Sequence, residues 1–314
     1  MTVAPRFWYR PPGALLGLLA PFAPGRPRRR VTPARLPVPV VAVGSLSLGG
    51  TGKTPTVIAI AQRLAAKGRA VHVVTVGEGM PFRVDERGHD AGDVGDEPLL
   101  IAAFAPTWVA RDLAEGARAA VAEGAEVVVL DGGYPDAVVA ADLTVLAEDA
   151  VRGFGNGIAW PLGPLKRPLG RGLRGVDLVI AIGPAKSQDA FSDRWGRALS
   201  CPVARARLAP LPTGMKWEGL DVVAFAGIGA PERFFATLHG LGANLVRTQA
   251  LSDHQELTPT LLTRLLAEAK ARGAQLVTTE KDAVRLPRQH RQAVVSLPVR
   301  LELEDWRTLD ERLP

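Results

Sequence analysis

The sequence predicts an α/β protein: a doubly wound, mostly parallel sheet followed by a second, smaller α/β domain. Three observations carry that expectation. Short β-branched apolar runs alternate with helical spacing between residues 40 and 182, as in a parallel sheet with helices on both faces. Small residues, several of them glycine, join the first run to its helix at 47–52. After a stretch flanked by prolines at 202–212, which reads as a linker, the alternation resumes on a smaller scale. The expected divisions are an N-terminal segment over 1–36, a main domain over 37–200 and the smaller domain over 201–314.

Composition narrows the class. A chain of 314 residues, 47% hydrophobic and 22% charged, can bury a sizeable core and is not a disordered polypeptide. Cys201 is the one cysteine, which excludes an internal disulfide and suits a reducing compartment. No Cys/His cluster has zinc-site spacing. The net charge of +6 suits an anionic partner, whether nucleic acid, acidic membrane surface or phosphorylated substrate.

Residues 1–36 stand apart. Phe7-Trp8-Tyr9 precedes an apolar run from Gly13 to Ala23, and Arg26, Arg28, Arg29, Arg30 and Arg35 follow it. The run is shorter than the roughly 20 residues a membrane-spanning helix needs, and its charges lie on the wrong side for a secretory signal. Two readings stay open: a helix in the membrane interface with its cations toward anionic lipid, or a helix packed on its own domain.

Val40 to Val43 reads as a buried parallel strand. Ser47-Leu48-Gly49-Gly50-Thr51-Gly52 is a glycine loop, followed by Lys53-Thr54 and by Pro55, tolerated in a first helical turn. Thr56 to Lys67 carries Val57, Ile60, Ala61 and Leu64 at helical spacing. Strand, glycine loop, Lys-Thr and helix form a phosphate-binding loop. Backbone N–H groups face phosphates, the lysine reaches the β and γ oxygens, and the threonine hydroxyl holds Mg²⁺. Ser47 stands where the usual pattern opens with glycine. The chain is expected to bind a nucleoside triphosphate through residues 47–54, with Lys53 on the phosphates and Thr54 on the metal.

Strands are then expected at Ala70–Val76, Thr107–Ala110, Glu126–Leu130, Leu143–Leu146 and Leu178–Ile182, with helices at Asp96–Phe104 and Leu113–Ala122. Ligands of such sheets gather at the strands' carboxyl ends, where Gly49, Gly77 and Asp131 would meet. Residues 153–175, rich in Gly, Pro and basic side chains, read as an ordered functional loop. The smaller unit should contain strands Val222–Phe225, Asn244–Arg247, Gln275–Thr279 and Val299–Leu303, and helices Pro231–Leu241 and Pro259–Arg272.

Asp131 closes an apolar strand, as a Walker-B-type acid does when it holds Mg²⁺; opening a Gly132-Gly133 turn is the plainer alternative. Asp96 and Glu97 stand at a helix start, where acids also cap. Asp253-His254 is a possible acid/base pair or surface decoration. Thr278-Thr-Glu-Lys-Asp282 ends a strand with five polar residues, lining a cleft or running into a solvated turn.

Taken together these motifs resemble the tetraacyldisaccharide 4′-kinase family, the lipid A kinases. The matching segments are Gly49-Gly-Thr-Gly-Lys-Thr-Pro55, Gly95-Asp-Glu-Pro98, Gly155-Asn-Gly157 with Gly163-Pro-Leu165, Asp253-His254 and Thr278-Thr-Glu-Lys-Asp-Ala283. The resemblance implies transfer of the ATP γ-phosphate to the 4′-hydroxyl of a tetraacylated disaccharide 1-phosphate, giving lipid IVA. It implies Mg²⁺, peripheral or monotopic association with the cytoplasmic face of the inner membrane, and no nucleic-acid partner. By the same carry-over Asp96, supported by His254, takes the sugar hydroxyl proton, and Asp131 joins Thr54 at the metal.

Four departures mark a diverged member. The family's two successive aspartates become Asp131-Gly132, and its Arg-Gly-Tyr-Gly becomes Val76-Gly77-Glu78-Gly79. Its Arg-Glu-Pro becomes Lys166-Arg167-Pro168, and its second histidine after Asp-His becomes Gln255. Because positioned charge supplies much of the barrier reduction in phosphoryl transfer, a catalytically impaired paralogue that binds nucleotide or lipid is the alternative reading.

Overall fold

The computed structural model describes residues 32–134, 138–253 and 255–314. Most of the N-terminal segment 1–36, and His254, lie outside these residues. The strands are β1 (Val40–Gly44), β2 (Val71–Val76), β3 (Phe82–Arg83), β4 (Thr107–Ala110), β5 (Val127–Asp131), β6 (Leu143–Asp149) and β7 (Leu178–Ile182). They continue with β8 (Val203–Pro210), β9 (Asp221–Ala226), β10 (Asn244–Ala250), β11 (Gln275–Thr279), β12 (Val295–Leu297) and β13 (Val299–Leu303). The α-helices are α1 (Lys53–Ala66), α2 (Ala91–Val94), α3 (Asp96–Ala102), α4 (Leu113–Ala122), α5 (Leu169–Gly172), α6 (Ala185–Trp195), α7 (Pro231–Gly240), α8 (Pro259–Ala271), α9 (Glu280–Ala283) and α10 (Arg307–Asp310).

Nine strands form one sheet in the order β13-β8-β7-β6-β1-β5-β2-β4-β3, and four form a second in the order β10-β9-β11-β12. The large sheet is parallel except at its two edges, where β3 and β13 run antiparallel to their neighbours. The expected doubly wound sheet and smaller α/β unit are therefore present.

The pleat explains why both faces are covered. On β1, Val41 and Val43 pack with Val57, Ile60 and Leu64 of α1, while Val40 and Ala42 pack with Leu113 and Ala117 of α4. Alternate side chains of a strand point to opposite faces, so an apolar run with no polar alternation requires a helix on each side. Asp112 caps α4, accepting a hydrogen bond from the Ala114 N–H at 2.8 Å, and Thr258 caps α8 ahead of Pro259. The second sheet is built likewise, with Val223 and Phe225 against Leu262 and Leu265 of α8, and Val222 and Ala224 against Phe234 and Leu238 of α7.

Two expectations require correction. Residues 202–212 are not a linker: Val203–Pro210 is strand β8, paired on both sides within the large sheet. Val299–Leu303 does not belong to the second sheet. It returns to pair with β8, Val299 opposite Pro210 and Leu303 opposite Ala206. The chain thus leaves the large sheet after β8, builds the second sheet, and comes back. Among the described residues no helix is long and apolar enough to cross a membrane.

Candidate active site

The central strand β1 lies between β5 and β6, with Val43 beside Asp131 and Gly44 beside Leu146. Their carboxyl ends therefore open toward the loop that follows β1. That loop turns into α1 at Gly52, whose φ of 88° is left-handed. A Cβ there would press on the Ile182 Cδ1 methyl at 2.5 Å, but it is the left-handed backbone that calls for glycine.

Lys53, first residue of α1, reaches across the strand ends. Its Nζ donates to Asp131 Oδ1 at 2.6 Å and stands 3.8 Å from Glu97 Oε2. The Asp131 carboxylate is completely buried, and its Oδ2 accepts from Thr75 Oγ1 at 3.3 Å. Burial pushes the Asp131 carboxyl up, and Lys53 opposes it. Burial works against the Lys53 ammonium too, but Asp131 and Glu97 outweigh it and raise its pKa. Lys53 is thus held protonated.

The second sheet contributes cations to the same place. Lys281 donates to Glu97 Oε1 at 3.2 Å and lies 3.9 Å from Asp96 Oδ2, while Arg285 Nε is 4.0 Å from Asp96 Oδ2. Arg285 also bonds Asp282, a buried carboxylate that accepts from the Gly227 N–H at 3.1 Å and from Thr279 Oγ1 at 2.6 Å. On the far side of the loop, Arg152 Nη2 donates to the carbonyls of Gly49 and Gly50 at 2.7 and 2.8 Å. The buried Asp149 pairs with Arg152 at 2.9 Å and with Arg233 of α7 at 2.8 Å. The loop is braced from both sheets.

Comparison with known proteins gives the constellation a context. A family profile described as LpxK, tetraacyldisaccharide-1-P 4′-kinase, matches residues 6–314. The chain is 53% identical over 317 residues to a tetraacyldisaccharide 4′-kinase of Jannaschia sp. (strain CCS1), covering 98% of this chain and 97% of the relative. The chain belongs to the tetraacyldisaccharide 4′-kinase family. A protein of the same name from Dinoroseobacter shibae is 54% identical, over 96% of this chain and 94% of its own. In fold, the chain resembles LpxK from Aquifex aeolicus, crystallised in complex with ATP. The TM-score is 0.70 at 24% identity, with 90% and 89% of the two chains covered.

Of the expected site residues of this family member, Lys53, Asp131 and Asp96 converge on one cluster, and residues 47–52 form the loop beside it. The loop's first N–H groups are turned inward: Ser47 donates to Glu148 at 3.3 Å, and Leu48 to the Pro164 carbonyl at 2.9 Å. Thr54 lies buried in the first turn of α1. Asp253 lies near the loop, its Oδ2 3.8 Å from where a Cβ on Gly229 would stand. The five polar residues from Thr278 to Asp282 part ways: Lys281 meets Glu97, Glu280 accepts from Arg300, and Thr278 and Asp282 are buried, Asp282 anchoring the Gly227 N–H. Gly132, where the resemblance leads one to expect a second aspartate, has φ of 105° with open space where a Cβ would be. Glu78 is exposed at the end of β2.

Sequence reasoning missed Glu97 as a partner of Lys53, noted Lys166 only as part of a departure from a family motif, and missed Arg152, Arg233 and Glu148 altogether. Lys166 donates to Ser45 Oγ at 3.1 Å, and burial followed by repulsion from Lys53 lowers its pKa. A signal existed for Glu148-Asp149 alone: two acids at the end of an apolar strand beside the central one. Among the described residues no group of three or more His, Cys, Asp or Glu is arranged to hold a metal ion by itself.

Proposed function

We propose that this chain transfers the γ-phosphate of ATP to the 4′-hydroxyl of a tetraacylated glucosamine disaccharide 1-phosphate, yielding lipid IVA. The observation that carries the reading is the pairing of Lys53 with buried Asp131 at the head of α1, in a chain of this family. With ATP bound, Lys53 exchanges part of its contact with Asp131 for the β and γ phosphate oxygens. The N–H groups of Ser47 and Leu48 are already paired within the protein, so Gly49 to Thr54 are the part of the loop that meets phosphate. Asp96, aimed at the same cluster, accepts the proton of the attacking hydroxyl, with His254 beside Asp253 as its support. Lys281 and Arg285 offset charge that gathers as the phosphoryl group moves.

The donor set suits Mg²⁺: the Thr54 hydroxyl and Asp131 carboxylate are hard oxygen ligands, and this ion favours one or two such groups with substrate phosphates and water. When bound it neutralises phosphate charge. Because the substrate's acyl chains remain in a bilayer, the enzyme works against a membrane surface, the cytoplasmic face of the inner membrane, with residues 1–36 as its contact.

The impaired-paralogue alternative rests on Gly132 and Glu78. Glu97 answers the first in part, since it places a second carboxylate 3.8 Å from Lys53. The test is product identity: phosphorus NMR of the lipid after incubation with ATP and Mg²⁺ should show one new monoester at the 4′ position. Unchanged lipid with consumed ATP would instead indicate a nucleotidase.

A further inference from the structure

Glu148 is a buried acid without a part in the chemistry above. It stands next to last in β6, the strand beside β1, where Leu143, Val145, Leu146 and Ala147 are apolar and Thr144 and Asp149 are the other buried polar residues, and its side chain is inaccessible to solvent. Its Oε1 accepts from two successive backbone N–H groups, those of Leu46 and Ser47. These are the residues that lead β1 into the glycine loop. The Ser47 hydroxyl donates in turn to the Gly153 carbonyl at 3.2 Å. Oε2 is buried, with no hydrogen-bond partner among the described residues. The charged group that faces it is Lys166, which reaches in from the 164–168 turn to Ser45 Oγ, with Lys53, Asp131 and Glu97 acting on that lysine from beyond.

A carboxyl group in an apolar cluster is costly unless it is hydrogen-bonded. Here its bonds are spent on the entry of the loop rather than on the strand it belongs to. Ser47 also stands at the position usually held by glycine, so the turn is fixed by hydrogen bonds to a side chain. We propose that Glu148 is a positioning residue for nucleotide binding: it holds the Leu46 and Ser47 N–H groups and so sets the direction of the Gly49–Thr54 N–H groups that receive phosphate. The inference rests on the reading of residues 47–54 as the ATP site.

Burial pushes the Glu148 carboxyl up to about 7, against the hydrogen bonds from Ser47 and Leu46 and the attraction of Lys166. Protonation halves the strength of charge-assisted bonds, to a first approximation, and turns one oxygen into a donor. The loop entry should loosen accordingly.

The experiment is ATP binding by calorimetry to the full chain and to E148Q and E148L, at pH 6 to 8.5, with K53A as reference. Steady-state KM values for ATP and for the lipid follow for each. E148L leaves both N–H groups without their acceptor, and its Kd and KM for ATP should rise about 10-fold, one or two lost hydrogen bonds' worth, with KM for the lipid unmoved. E148Q keeps an acceptor of the same shape and should retain most of the affinity. Wild type should lose affinity as pH falls through about 7 by more than E148Q does, the glutamine variant correcting for the nucleotide's own titration. E148L with wild-type KM for ATP, or E148Q with the wild-type pH dependence, overturns the proposal; the second holds even where E148L does not fold. A wild-type chain that binds ATP no better than K53A overturns the underlying nucleotide-site reading instead.

Discussion

Lys281 of the second sheet donates to Glu97 at 3.2 Å, and Glu97 in turn stands 3.8 Å from Lys53 at the head of α1. One carboxylate therefore links a lysine from each sheet. The arrangement joins the second sheet to the Lys53 cluster: its α9 brings Lys281 and Arg285 to the acids that begin α3.

K281A tests that link. It should lower kcat by about 10-fold or more, as removal of a positioned cation does in phosphoryl transfer, and change stability by less than about 1 kcal/mol, since both partners retain solvent access. Urea unfolding beside initial rates separates the two. Wild-type kcat in K281A would remove the second sheet from the chemistry.

Lys53 is coupled to a carboxylate that is entirely buried. K53A should abolish transfer and cost roughly 3 kcal/mol of stability, because it strands the Asp131 charge. K53A/D131N should recover most of that stability and none of the activity. Additive losses in the double variant would contradict the coupling.

G132D introduces the second acid that the family resemblance leads one to expect after Asp131. The backbone there has φ of 105°, and a non-glycine residue in that region costs on the order of 1–3 kcal/mol. The variant should therefore be less stable and no faster. A gain in turnover would mean that the missing carboxylate limits this enzyme.

Asp310 supplies the pH test of the C-terminal contact with α1. Its bond to the Arg63 guanidinium, with Lys67 at 3.0 Å, holds its carboxyl down at about 2. A depressed acid stabilises the fold above its unfolded pKa, near 4, and loses that contribution as pH falls through about 2. D310N should be slightly less stable than wild type at neutral pH, by under about 1 kcal/mol for so exposed a pair, with the gap closing below pH 4. An unchanged gap at pH 2 would assign the effect to packing.

The legible parts of the molecule were those with local rules. Strand, glycine loop, Lys-Thr and helix led to the loop that stands beside the Lys53–Asp131 pair, and Asp131 could be placed because an apolar strand ends there. Strand β8 was hidden by the prolines at its ends, although Ala204 and Ala206 alternate with Arg205 and Arg207 at the period of two that a strand requires. The return of β13 to the first sheet could not be read, because pairing partners are set by tertiary packing rather than by propensity. Glu97, Arg152, Arg233 and Glu148 escaped for a like reason. Each acts across a sequence separation of 44 to 103 residues, measured from Lys53 to Glu97, Asp149 to Arg233, Leu46 to Glu148 and Gly49 to Arg152. No spacing rule reaches that far.

The most direct test of the central claim is transfer of labelled γ-phosphate from ATP to tetraacyldisaccharide 1-phosphate in mixed micelles with Mg²⁺, for wild type, K53A and D96N. The account predicts labelled lipid with wild type, none with K53A, and a loss of about 100-fold or more in D96N with ATP affinity kept. Nucleotide bound by wild type with no label on the lipid would contradict it.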